Sequence, residues 1–280
     1  MTSRLIPLIA SVSMLFCSAA QAQFLSKETP AGDSILEFNK RMPRKNTEIS
    51  NAVRSAETLG WNIFRYESLR DAASYALATE AGSMETSGAI VVPGEQWRVR
   101  FYKDEANGTI SPVADVLFDN ALNTTVVPQG ATSPFSATEE AMIQAEKLVN
   151  MTQPMPCEGE YTTVVMPAPA GQSGFYVYVI RKSLDFKRLP EGQHLLVEVS
   201  EDGSSIVKTR EFSSRCNTPS IGIGSDTEAR PQFRLSHSMD HQPTELHIYL
   251  SLRYNLELFI ATMPSNLYWT INNGVVEVDD

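Results

Sequence analysis

The stretch 68–102, SLRDAASYALATEAGSMETSGAIVVPGEQWRVRFY, changes its hydrophobic period part-way along. Leu69, Ala72, Ala73, Ala76 and Leu77 recur at three- and four-residue spacing, the mark of a helix with one buried face. Ser68 stands where an N-cap belongs, Asp71 suits the positive end of the helix dipole, and Gly82 lies just beyond the pattern. From Ala89 onward the chain reads differently: 89–92 and 97–102 are β-rich runs split by Pro93-Gly94. Helices followed by strands place the chain in the α+β class.

Toward the N-terminus, Ile49, Ala52, Val53, Ala56 and Leu59 predict a separate helix over 47–59, with Gly60 as its C-terminal stop. Toward the C-terminus, Asn107-Gly108 between the runs 97–102 and 110–118 predicts a hairpin. Ser136 and Glu139 form an S-x-x-E capping box ahead of Ala141, Ile143, Ala145, Leu148 and Val149, and that helix ends before Pro154 and Pro156. The proline pair is either a boundary between a mixed helix and strand part, 23–153, and a β-rich part, 154–280, or a turn within one domain. Beyond Cys157 strands are expected at 161–166, 175–181, 194–200, 205–212, 232–237, 244–252, 256–263, 267–271 and 275–278. Turn residues separate them at Asp202-Gly203, Tyr254-Asn255, Ser265-Asn266 and Asn273-Gly274, which predicts a predominantly antiparallel, meander-like C-terminal half. Between two of these strands, 217–231 is rich in Gly, Ser, Thr and Pro, and a loop of that length is either functional or mobile.

The first 22 residues carry one positive charge, Arg4, then the apolar run 5–17, then Ala20-Gln21-Ala22. That is the order of a secretory signal peptide, with cleavage expected between Ala22 and Gln23 and export to the periplasm or the extracellular space. The apolar run is shorter than the roughly 20 residues of a membrane span, and no later run reaches that length, so a soluble mature protein is expected. Without residues 1–22 the formal charge becomes −11, because only Arg4 is lost from 23 basic residues set against 33 acidic ones. So acidic a chain is a poor general binder of nucleic acid, which requires a basic surface.

Cys157 and Cys216 remain after cleavage, and in an exported compartment a disulfide between them is the leading reading. Closing a loop of that length would stabilise the fold by about 4 kcal/mol in the chain-entropy model. The alternative is a catalytic thiol, which needs a paired histidine and an electropositive setting, and neither cysteine has a histidine beside it in sequence. The segments HLLVEVS at 194–200, Asp202-Gly203, SSRC at 213–216, PTELHIY at 243–249 and LYW at 267–269 resemble a group of uncharacterised exported bacterial proteins. The resemblance covers mainly the C-terminal half and implies a bacterial envelope location, without a biochemical function.

His237, His241 and His247 fall within eleven residues, with Asp240 and Glu245 between them, and imidazoles with a carboxylate suit zinc or copper. They are candidate metal ligands, against the plainer reading that His241 is a solvated loop residue and His247 a packed strand residue. Gly171-Gln172-Ser173-Gly174 is one residue short of a nucleophile elbow and precedes a strand rather than a helix, so a turn is expected there. Gly222-Ile223-Gly224 lacks the spacing of a phosphate-binding loop. Arg181-Lys182 and Lys187-Arg188 make a local basic cluster, read as solvated or as a contact for anionic envelope material. Tyr176 and Tyr178 should share one face of a strand with Phe175 on the other, serving as core or as a stacking platform.

With no catalytic constellation in view, the expected function is a non-catalytic exported protein that binds an envelope or extracellular component. The alternative is a metal-dependent hydrolase using the histidine cluster. Intact-mass analysis of protein recovered from the envelope should show a chain beginning at Gln23; a retained Met1 would contradict the export reading.

Overall fold

The computed structural model describes residues 47–82, 84–153, 157–183, 185, 187–213, 215–221 and 230–279. The expected leader at 1–22, the proline pair at 154 and 156, and Gly222-Ile223-Gly224 lie outside them. The architecture is α+β. Helix α1 (Thr47–Glu80) is followed by an antiparallel meander of β1 (Gly88–Val92), β2 (Trp97–Asp104), β3 (Ile110–Phe118) and β4 (Thr124–Pro128). Helix α2 (Ala137–Thr152) leads to a second meander of β5 (Glu160–Pro167), β6 (Phe175–Lys182), β7 (Leu195–Val199) and β8 (Ile206–Glu211). Then come β9 (Gln232–His237), α3 (Glu245–Arg253), β10 (Glu257–Thr262), β11 (Leu267–Asn272) and β12 (Val275–Asp279), whose sheet has the order β12-β11-β10-β9. Among the described residues no helix is long and apolar enough to cross a membrane.

Two expected helices prove to be one. The chain runs through Gly60 without a break, and α1, 34 residues long, extends about 51 Å at the usual rise of 1.5 Å per residue. Gly60 is not a stop but a point of close approach. A Cβ there would lie 2.6 Å from Ile248 Cβ and 2.7 Å from the Glu245 carbonyl oxygen, so only glycine lets α1 and α3 cross at this distance. Ser68, read as an N-cap, sits in the helix interior.

The segment expected as a strand at 244–252 is helix α3. Every residue from Glu245 to Leu252 is buried, and an apolar run buried on all sides shows no period by which a strand and a helix can be told apart. The end signals do discriminate: Thr244 is the N-cap, Glu245 lies in the first turn and Arg253 in the last. This helix also explains why β9 and β10 pair in parallel, with Leu235 opposite Ile260, within a sheet otherwise antiparallel. Parallel neighbours need a crossover connection, and α3 lies within it.

Other turn chemistry is as expected. The hairpin of β2 and β3 turns through Asn107 and Gly108, with the Gly108 amide donating to the Glu105 carbonyl at 2.9 Å. Asn273 and Gly274 both have positive φ, 52° and 72°, in the two-residue turn between β11 and β12. Ser136 caps α2, and Glu139 returns the bond to the Ser136 amide at 2.7 Å. Strand β6 is buried on both faces: Tyr176, Tyr178 and Ile180 join the core around α1 and α3, while Phe175, Val177 and Val179 join the cluster beneath α2.

Polar side chains on α1 tie it to its surroundings. Glu57 accepts from the Val276 amide of β12 at 2.8 Å. Glu67, fully buried, meets Lys182 of β6 at 2.8 Å, the Tyr249 hydroxyl of α3 at 2.7 Å and Arg253 at 3.5 Å. Burial alone would push the Glu67 carboxyl up, but those cations outweigh it and hold it below the ordinary carboxylate range. Arg70 donates to the Thr162 hydroxyl and the Thr163 carbonyl of β5 and lies 3.7 Å from Glu146 of α2. In the first sheet the buried Arg100 reaches Asp115 and Glu139 at 2.9 Å each, fastening β2 to β3 and to the start of α2.

Gly60→Ala should therefore invert its usual effect. In an open helix it would add about 1 kcal/mol of stability, whereas overpacking the crossing should cost a net of about 1–3 kcal/mol. Urea denaturation of the mature protein measures this, and a stabilised variant would contradict the crossing.

Candidate functional site

The three candidate histidines do not converge. His237, at the end of β9, and His247, in the first turn of α3, meet edge to face with ring centroids 4.8 Å apart. His237 Nε2 is 2.8 Å from an Asp240 carboxylate oxygen. The Thr244 amide donates to His247 Nδ1 at 3.0 Å, so the neutral ring carries its proton on Nε2. Burial, then the neighbouring His237, hold His247 well below its ordinary value. His241 is exposed, and its carbonyl accepts from the Ser265 hydroxyl at 2.6 Å. Among the described residues no group of three or more His, Cys, Asp or Glu side chains is placed to hold a metal ion.

Around this histidine pair lies a charged network. Arg210 of β8 is 2.9 Å from Asp240 and 3.5 Å from Glu245, and its guanidinium sits over the Phe212 ring at 4.6 Å. The Tyr178 hydroxyl donates to Glu245 at 3.3 Å. Burial raises the Glu245 carboxyl despite Arg210, whereas at Asp240 the same burial is outweighed by His237 and Arg210, and the group is lowered. The remaining histidine, His194, is spent on structure: its Nδ1 accepts from the Arg181 amide at 3.2 Å and its Nε2 donates to the Pro190 carbonyl at 2.7 Å.

What the structure does build is a cleft along β9. One cavity of about 640 Å³ opens on the outer face of the third sheet, where Arg234, Phe259 and Tyr268 lie. A second, of about 320 Å³, reaches past His194, His237 and His247 toward α3. Glu191, Arg215, Leu235 and Ser236 line both, so the two adjoin across β9.

The wall opposite β9 is made of loops, and specific contacts fix it. Cys157 and Cys216 form the expected disulfide, with Cα atoms 5.6 Å apart, next to Arg215. Arg181 donates to the carbonyls of Glu158 at 3.1 Å and Cys216 at 3.1 Å, bracing both sides of that bond. Segments 187–191 and 217–221 run together through Leu189 to Pro219 at 2.9 Å, Glu191 to Asn217 at 3.2 Å and a bridge of Arg188 with Ser220. A Cβ on Gly192 would fall 1.5 Å from the Arg215 carbonyl oxygen, so the two loops touch backbone to backbone there. The basic cluster read from the sequence is thus largely structural: Arg181 and Arg188 hold this wall and Lys182 pairs with Glu67. The Gly171 to Gly174 segment is a turn between β5 and β6, as expected.

Two cations face the cleft. Arg234 sits over the Phe259 ring at 5.6 Å, and Arg215 lies near Glu191, whose carboxyl burial raises and the Arg215 guanidinium draws partly back down. Sequence reasoning missed Arg215, Arg234, Glu191, Phe259 and Tyr268. Arg215 stands out in the sequence only beside Cys216, as part of a resemblance, and no motif links residues drawn from two loops and three strands. The chain matches no protein-family model, no curated protein and no solved structure.

The cleft has a pH signature. Burial pulls His194 down to about 4, against an unfolded value of about 6.5. The folded state therefore refuses a proton that the unfolded chain accepts. Stability is fully present above pH 6.5, is lost as pH falls toward 4 and levels off below, a loss of about 3 kcal/mol from this group. The stability of His194→Gln should fall less steeply across that window; an unchanged slope by denaturation would contradict the assignment.

Proposed function

We propose that the mature chain is an exported, non-catalytic protein that binds an envelope or extracellular component in the cleft along β9. The observation that carries this reading is the cleft itself. Two guanidiniums, Arg234 on β9 and Arg215 on the disulfide-braced wall opposite, flank an aromatic surface of Phe259 and Tyr268 and a combined opening in the size range of ligand sites. On a chain this acidic, two arginines gathered at one cleft favour recognition of a partner over general solvation. The leader pattern at 1–22 and the disulfide support a periplasmic or extracellular setting.

Ser236 is exposed and lines both cavities, so Ser236→Trp should fill the cleft while leaving the core alone. The immobilised mature protein is expected to retain a component of envelope extract that Ser236→Trp does not, with the two melting within about 2 °C of each other, as surface substitutions usually do. Equal retention by both proteins would place binding elsewhere or refute it.

A further inference from the structure

Among the described residues strand β9 is the end strand of its sheet, paired on one side with β10. Consecutive strand residues direct their backbone groups to opposite sides, and the Pro231 and His237 carbonyls accept from Glu257 at 3.0 Å and Met263 at 2.8 Å on the β10 side. Gln232, Arg234 and Ser236 therefore turn their N–H and C=O groups to the edge away from β10. Among the described residues no backbone group takes up those of Gln232, Arg234 or Ser236. An unpaired edge of this kind is a template for another strand unless something covers it. Here charge does not blunt it against an acidic partner: its one charged side chain is Arg234, and Arg215 stands on the facing wall.

We propose, on the reading of the cleft as a binding site, that its occupant is an extended acidic peptide segment that adds to β9 as a further strand. In such an arrangement the main chain supplies the hydrogen bonds, and alternate side chains enter pockets on opposite faces. The cleft has that form. The cavity with Arg234, Phe259 and Tyr268 lies on the outer face of the third sheet, and the one reaching Leu246, His247 and Leu250 lies on the inner face, with Leu235 and Ser236 common to both. Acidic side chains of the peptide meet Arg215 and Arg234 on the outer face. Apolar ones point inward, toward Leu246 and Leu250. Glu191 shares the wall with Arg215, so the two guanidiniums exceed the one carboxylate and favour a peptide of net negative charge.

The test titrates the mature protein with an acetylated and amidated hexapeptide alternating glutamate and valine. Its lysine counterpart and two N-methylated forms, one methylated at every glutamate and one at every valine, serve as controls. The expected result is saturable binding of the glutamate peptide, weakened at least tenfold by lysine and by Arg215→Gln or Arg234→Gln. N-methylation should abolish binding in one set only, because an added strand turns alternate amides toward β9, and exchange of the Arg234 and Ser236 amides should slow on binding. No binding, equal binding of the lysine peptide, or equal effects of the two methylated sets would overturn the proposal. Should these fail while Ser236→Trp still loses its component from envelope extract, the cleft remains a binding site and the strand-adding peptide alone is refuted.

Discussion

The crossing of α1 and α3 at Gly60 is the constraint on which the rest depends. With Ile248 and the Glu245 carbonyl within 3 Å of where a side chain would begin, the two helices are locked at a distance only glycine permits. Glycine in a helix interior costs roughly 1 kcal/mol relative to alanine, and the packing of α3 into the core offsets it. Once that distance is set, Tyr249 and Arg253 of α3 reach Glu67 of α1, and Lys182 of β6 joins them. A carboxylate buried so deeply is tolerable only with partners of opposite charge, so this network is specific to one placement of α3.

The cleft inherits that placement. The first turn of α3 carries Glu245 and His247, which meet Arg210 and His237 beneath β9, and the same helix lies in the connection that turns β10 parallel to β9. The opposite wall is fixed independently, by the disulfide, by Arg181 and by the contact of Gly192 with the Arg215 backbone. Two walls held by separate means leave a gap whose shape does not require a ligand to form it, which lowers the ordering cost of binding.

Much of this was legible from residues alone. The hairpin at Asn107-Gly108, the capping box at Ser136 and Glu139, the turn at Asn273-Gly274, the pairing of Cys157 with Cys216 and the two faces of β6 follow from local chemistry. Two readings failed where packing against another element overrode the local signal. Gly60 is buried where α3 crosses α1, so a glycine demanded by packing has the look of a terminator. The run 245–252 lost its period because every face is covered. Misreading it as a strand also hid the parallel pairing of β9, and with it the strand edge beside the cleft. The site residues were invisible for another reason: Glu191 and Arg215 come from loops joined by backbone contacts, and Arg234, Phe259 and Tyr268 from three strands of one sheet, a set defined only by tertiary structure.

Residue-resolved hydrogen exchange across α1 tests the account at its centre. A continuous helix held by the crossing predicts that the amides of Trp61, Ile63 and Phe64 exchange as slowly as those of Val53 and Leu69 on either side, through opening events that cost nearly the whole stability of the fold. Fast exchange confined to residues just beyond Gly60 would mean two helices with a break between them, and would remove the constraint from which the position of α3 and the shape of the cleft are argued.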